Sequence, residues 1–267
     1  MTALQEFYGY RTQPFNITTN AELFFQGSSH QEALASLMYG IEERKGLILI
    51  TGEVGTGKTT LCKALLERLP HSVRTSFIMS PYFSDIQLLQ AIVEDFGLEP
   101  EKKTRLDIIK KLDSFLIELS LNQGNAVLII DEAQNLKARQ LEQVRLLSNL
   151  ETKHGKLLQI VLVGQPELKE HLERYDLRQL YQRIVIKYEL RPLEFADVKA
   201  YVDFRLEHSG MTGVYIPSEG YRMIHEFSKG IPRLVNLLCD RALLLGFVRK
   251  EKVLGTDVLV AAMEEIR

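Results

Sequence analysis

The consecutive residues Gly52, Glu53, Val54, Gly55, Thr56, Gly57, Lys58, Thr59 and Thr60 fit the pattern G-x-x-x-x-G-K-[ST], and each type suits one part of a phosphate chain. The three glycines permit backbone conformations and a closeness of approach that a side chain would obstruct. Amides of the loop and of the helix after it can then point at a β-phosphate, where the helix dipole also favours negative charge. Lys58 is placed to neutralise the β- and γ-phosphates, and the Thr59 hydroxyl to coordinate Mg2+. The setting carries as much weight as the pattern: the short apolar run LILIT at 47–51 precedes the loop, and an amphipathic helix through Leu69 follows it. A chance glycine turn with a lysine after it lacks both.

A second group of residues completes such a site. The run AVLIIDEAQ ends its apolar stretch in Asp131 and Glu132. A parallel strand buried on both faces releases its functional residues at its C-terminal end. Asp131 is therefore expected to hold the magnesium shell through water, and Glu132 to orient and polarise an attacking water. Alone, the same residues read equally as a strand ending in a charged turn. Gln165 follows the run LLQIVLVG at 157–164; strand order in such sheets puts that strand between the first and third, from where its side chain can reach a γ-phosphate or the lytic water. The plainer reading is a turn residue before Pro166.

Three arginines have comparable readings. Arg178 and Arg183 flank the start of the run RIVIKYEL at 183–190, where a guanidinium can project into a neighbouring subunit's γ-phosphate, Arg183 being the first choice. A surface salt bridge is the alternative for either. Arg233, in GIPR at 230–233, falls in the first turn of a helix. The helix dipole disfavours a cation there, which points to a ligand such as phosphate rather than a plain surface arginine.

The elements that must position these residues alternate. Apolar runs at 47–51, 73–79, 126–131, 157–164 and 183–190 are separated by helical patterns, among them 84–96, 105–121 and 137–151. This predicts an α/β fold of the P-loop NTPase kind: a parallel five-stranded sheet covered on both faces by helices. Beyond Pro192 the strand signals stop, and helical patterns near 194–208, 217–228, 231–247 and 255–265 predict a C-terminal helical lid. The expected domains are 1–192, nucleotide-binding with an irregular N-terminal arm over residues 1–30, and 193–267, the lid.

Composition narrows the class. Hydrophobic residues at 45% and charged residues at 25% describe a globular chain, and a net charge of -2 exerts no global pull on nucleic acid. Cys62 and Cys239 stand far apart and outside any CxxC pair, which argues against a disulfide framework or zinc site and predicts packing roles in a reducing compartment. The N-terminus lacks the basic start and apolar run of a signal peptide, and no apolar run reaches membrane-spanning length. The expected location is the cytoplasm, with no direct membrane insertion by this chain.

Several stretches together resemble the AAA+ ATPases of the ExeA (GspA) secretion type. They are PFNIT at 14–18, HQEALASLMYGIEERKGLILITGEVGTGKTTL at 30–61, VLIIDEAQNL at 127–136, LLSNLET at 146–152, LLQIVLVGQPEL at 157–168, LRQLYQRI at 177–184 and GIPRLVNLLCDRALL at 230–244. The resemblance covers almost the whole chain. It implies hydrolysis of ATP with Mg2+ in a pocket between the two domains, with Gln165 as sensor 1, Arg233 as sensor 2 and an arginine near 178–183 acting in trans. It further implies ATP-promoted assembly into a homo-oligomeric ring or filament and a protein partner in an envelope or secretion complex. Secretion members typically continue into a transmembrane helix and a peptidoglycan-binding domain, so this chain reads as a shorter member or a cytoplasmic region.

The same branch is similar to DNA-assembling transposition regulators of the TnsC type. That second reading predicts Lys102, Lys103, Arg105, Lys110 and Lys111 lining a ring pore around DNA, where the plainer reading is a solvated helix face. The segment TTNAELFFQGSSH is looser than the proline-rich, aromatic version common in secretion members, which leaves the pathway open between the two. A third reading, a nucleotide-binding scaffold that hydrolyses poorly, is opposed by Glu132.

Overall fold

The computed structural model describes residues 2–16, 24–79, 83–102, 104–153, 155–211 and 213–266. The chain divides into two compact units: a sheet unit of residues 32–52 and 61–190, and a helical unit of residues 1–31, 53–60 and 191–267. The sequence reading draws one boundary, after residue 192. The contacts draw more, grouping the N-terminal arm and the phosphate loop with the C-terminal helices.

In chain order the elements that lie wholly or mostly in the sheet unit begin with α2 (Ser28–Glu42), β1 (Leu47–Gly52), α3 (Lys58–Arg68), β2 (Val73–Ile78), α4 (Asp85–Asp95), α5 (Arg105–Leu121) and β3 (Asn125–Ile130), the first residues of α2 and α3 falling in the helical unit. They continue with α6 (Ala138–Leu147), a short hairpin β4 (Glu151–Thr152) and β5 (Gly155–Lys156), β6 (Gln159–Gly164), α7 (Pro166–Glu173), α8 (Arg178–Tyr181) and β7 (Ile184–Leu190). Five strands pair in the order β2-β3-β6-β1-β7, every pairing parallel. β6 lies between β1 and β3, as expected, with Ile50 beside Val163 and Ile130 beside Leu162.

Burial on both faces accounts for the unbroken apolar runs of the central strands. Leu47, Leu49, Leu128, Ile130, Ile160 and Leu162 share one core with Leu88 and Ile92 of α4, Leu112 of α5 and Val144 of α6. The alternate residues Ile48, Ile50, Val127, Ile129, Val161 and Val163 are buried as well. On that face α2 comes so close that a Cβ on Gly40 would stand 2.5 Å from Ile48 and 2.7 Å from Ile186. The helix expected over 137–151 stops at Leu147, and the residues after it form the hairpin, held by an ion pair between Lys156 and Glu151.

The helical unit contains α1 (Ala3–Tyr8), α9 (Phe195–His208), α10 (Ser218–Ser228), α11 (Pro232–Arg249) and α12 (Thr256–Ile266). α1 corrects the reading of the arm as irregular. A reciprocal cap forms it: the Gln5 amide donates to Thr2 Oγ1 and the Thr2 amide to Gln5 Oε1, and Gly9 ends it in the left-handed region. The arm is integral to this unit's core. Tyr8, Tyr10 and Phe15 are buried among residues of α9 to α12, and the Tyr8 hydroxyl donates to Leu243 O at 2.9 Å. Arg205, itself buried, donates through Nε to Pro14 O and through Nη2 to Asn16 O.

Gly230 has φ +77°, and a Cβ there would lie 2.0 Å from Leu193 O, while Leu193 N donates to Gly230 O at 2.8 Å. Gly230→Ala therefore combines left-handed strain with a backbone collision. It is expected to lower unfolding stability by about 3 kcal/mol or more, read as a shifted denaturant midpoint with unchanged slope.

Both cysteines are buried. Among the described residues no helix is long and apolar enough to cross a membrane.

Candidate nucleotide site

The loop from Glu53 to Gly57 turns the chain from β1 into α3, and two of its glycines sit in the left-handed region, Gly55 at φ +84° and Gly57 at φ +97°. Three donors converge on one carbonyl inside it: Lys58 Nζ at 2.9 Å, Thr56 Oγ1 at 2.8 Å and Thr56 N at 3.3 Å, all to Glu53 O. Lys58 is only 6% exposed, so its ammonium depends on such acceptors.

Two residues distant in sequence hold this loop within the helical unit. Arg233, in the first turn of α11 as expected, donates its backbone amide to Gly55 O at 3.3 Å. A Cβ on Gly55 would lie 2.7 Å from the Arg233 Cβ and 3.0 Å from Ile231, so the glycine is what permits this approach. The second residue, His30, was not singled out from sequence. Its Nε2 lies 2.8 Å from Thr56 O, and because a carbonyl only accepts, Nε2 carries the proton. The planar trans peptide then turns the Gly57 N–H away from His30. Burial holds the His30 pKa below the usual histidine range, opposed by the Thr56 contact and the charge of Asp197. Its Nδ1 is buried without a hydrogen-bond partner among the described residues. A sequence signal existed: His30 continues the stripe of Leu34, Leu37 and Ile41, all buried on one face of α2.

In the sheet unit, Asp131 follows β3 directly and is 2% exposed, and its amide donates to Ile78 O at 2.8 Å. Glu132 takes φ 52° and ψ 35°, a left-handed conformation uncommon for a residue with a side chain, before a 3-10 turn over Ala133–Asn135. Its amide donates to Asp131 Oδ1 at 2.9 Å. Gln134 then links two strand ends: its Nε2 donates to Glu132 Oε2, and its Oε1 accepts the Gln165 amide at 3.1 Å. Gln165 begins the turn into α7, at the end of β6.

The structure thus gathers Glu132 and Gln165 around Gln134 in the sheet unit, and Lys58 and Arg233 with the phosphate loop in the helical unit. Arg178 opens α8 and Arg183 lies between α8 and β7; both are exposed. Of the basic set, Lys102, Lys110 and Lys111 are exposed, Arg105 donates to Gln143, and Lys103 lies outside the described residues, as do residues 18–23 of the looser N-terminal segment. No group of three or more His, Cys, Asp or Glu suited to a metal occurs among the described residues. A metal here would depend on few protein oxygens and on the phosphates themselves, the usual arrangement for Mg2+.

Residues 41–172 match the family model described as an AAA domain. Solved structures share the fold across almost the whole chain: Drosophila ORC bound to DNA (TM-score 0.73, 18% identity, 100% of this chain and 66% of that one) and Cdc6p from Pyrobaculum aerophilum (TM-score 0.71, 15% identity, 95% and 70%). Aeropyrum pernix ORC2 in ADPNP and ADP complexes gives a TM-score of 0.69 at 16% identity, covering 95% and 71%. With the phosphate loop and the β2-β3-β6-β1-β7 sheet, these findings define the class of fold: an α/β fold of the AAA+ P-loop kind, with residues 41–172 resembling an AAA domain. Within that class it is similar to General secretion pathway protein A of Aeromonas hydrophila, at 44% identity over 262 residues and 97% of this chain. It spans about half of that relative's length, 48%.

Proposed function

We propose that this chain binds ATP with Mg2+, hydrolyses it to ADP and phosphate, and couples nucleotide-dependent assembly of its own copies to a protein partner in secretion or cell-envelope biogenesis. The observation that carries the reading is the parallel order β3-β6-β1. It lines up along one sheet edge the strand ends that lead into Glu132, into Gln165 and into the phosphate loop. In open α/β sheets ligands bind at that edge.

Each residue has a role in this reading. The loop from Gly52 to Thr60 supplies main-chain donors to the phosphates, and Lys58 neutralises them. Thr59 and Asp131 offer the hard oxygen donors that Mg2+ prefers; the ion would neutralise charge between the β- and γ-phosphates. Glu132 accepts the proton of the attacking water as the water oxygen bonds to the γ-phosphorus. The bond to the β–γ bridging oxygen breaks, and ADP leaves with the electron pair. Gln165 hydrogen-bonds the γ-phosphate or that water, and Arg233 contacts the phosphates from α11. Arg183, with Arg178 as second choice, spreads transition-state charge in a neighbouring copy's site. Residues 1–192 act as the nucleotide-binding domain and 193–267 as the lid. The chain works in the cytoplasm and reaches the membrane through its partners.

Phosphate release by the purified chain, with and without Mg2+, tests the enzyme, and sizing in ATP against ADP tests the assembly. Mg2+-dependent release and a larger particle in ATP are expected; failure to bind nucleotide overturns the reading. The likeness to an ORC bound to DNA and the exposed Lys102, Lys110 and Lys111 favour one other reading, a DNA-bound regulator. It requires ATP-dependent DNA binding that weakens steeply with salt, with a log–log slope of about -0.9 per phosphate contact.

A further inference from the structure

We propose that Gln134 is a positioning residue for hydrolysis: its side-chain amide sets the carboxylate of Glu132 and ties it to the end of β6. The inference rests on the hydrolytic reading above and assigns a residue that the reading does not use. Gln134 Oε1 accepts the backbone N–H of Gln165, a donor that cannot reverse its role. The amide is thereby fixed, and its NH2 end must face the Glu132 carboxylate, where it donates to Oε2. The flipped amide would set two donors against each other at Gln165 and two acceptors against each other at Glu132.

Two neighbouring features are built around this bridge. Glu132 holds a left-handed backbone with its own amide bonded to Asp131, so the direction its side chain leaves the turn is set before Gln134 acts. Gly164, the last residue of β6, leaves room for the amide: a Cβ there would stand 2.7 Å from Gln134 Oε1. With Oε2 engaged, Oε1 of Glu132 is the oxygen offered to the water. The other end of the bridge is the main chain of Gln165, whose side chain is assigned to the γ-phosphate, so displacement of that strand end is felt at the glutamate.

Two variants test this, each in the wild-type and in the Glu132→Gln background. Gln134→Glu keeps the length and an oxygen for the Gln165 amide but sets a carboxylate oxygen against Glu132. Gln134→Met keeps the length and removes both bonds, and it carries the test independently of added charge. Single-turnover phosphate release, KM for Mg-ATP and nucleotide Kd are measured for all of them. Both variants are expected to lower kcat about tenfold or more, the scale of a misplaced reacting group, with KM and Kd within about twofold. In the Glu132→Gln background neither lowers the residual rate further, because the residue acts through the group already removed. A wild-type kcat in Gln134→Glu overturns the proposal. So does an equal fold-loss in both backgrounds, which marks a role in stability alone. Wild-type turnover in Glu132→Gln itself brings down the hydrolytic reading first, and the two failures are thereby told apart.

Discussion

Glu132→Gln is expected to release phosphate about 1,000-fold more slowly than the parent chain, within the range that a positioned general base contributes, while its affinity for ATP stays within about twofold. The amide matches the carboxylate in shape but cannot take the proton of the attacking water. Little else should change. The left-handed turn at residue 132 depends on the backbone, and the amide oxygen can still accept from Gln134. Single-turnover phosphate release beside titration of a fluorescent nucleotide separates the two effects. The variant should also retain bound ATP long enough for any ATP-promoted assembly to persist during sizing. Turnover near the parental rate would remove Glu132 from its role and leave the acid pair as a charged turn.

Lys58→Ala should act on the other half of the reaction. A buried ammonium that contacts phosphate makes charge-assisted hydrogen bonds, and its loss is worth about 3 kcal/mol, on the order of 100-fold in Kd for ATP. The loss should be much smaller for AMP, because the proposed role of Lys58 is at the β- and γ-phosphates and AMP has neither. The loop itself should survive the substitution, since Thr56 contributes two of the three donors to Glu53 O. Calorimetric titration with ATP, ADP and AMP checks this. Equal losses for all three would mean that the substitution damages the fold rather than a phosphate contact.

What could be read from the sequence follows from how locally it is encoded. The phosphate loop is contiguous, and its glycines and lysine state their conformational and electrostatic requirements within nine residues, 52–60. The central strands announced themselves because β1, β3 and β6 are buried on both faces and so run apolar without interruption. The position of β6 between β1 and β3 followed from fold-level regularity rather than from any residue, and the pairings bear it out. Arg233 was placed correctly in the first turn of α11 because Gly230 and Pro232 bracket the helix start.

The features that sequence reasoning missed depend on partners far along the chain. Gln134 looks like any polar residue after an acidic pair until the pairing of β3 with β6 brings the Gln165 amide to it. Nothing around Pro14 or Asn16 announces that Arg205 will claim both carbonyls. α1 was missed for a different reason. Its capping box is local and readable, but six residues, Ala3–Tyr8, are too few for a hydrophobic period to stand out. The hairpin at 151–156 is likewise too short to carry an alternation pattern.

The discontinuous makeup of the helical unit bears on how the protein is made. Tyr8, Tyr10 and Phe15 leave the ribosome well before residues 193–262, whose surfaces bury them. The sheet unit closes within residues 32–190 and can acquire its core while translation continues. Through that interval the arm's aromatic side chains remain open to water and to other nascent chains. Their sequestration is a late event, and a release of the polypeptide before α12 is complete leaves a folded sheet joined to an unsheltered aromatic segment.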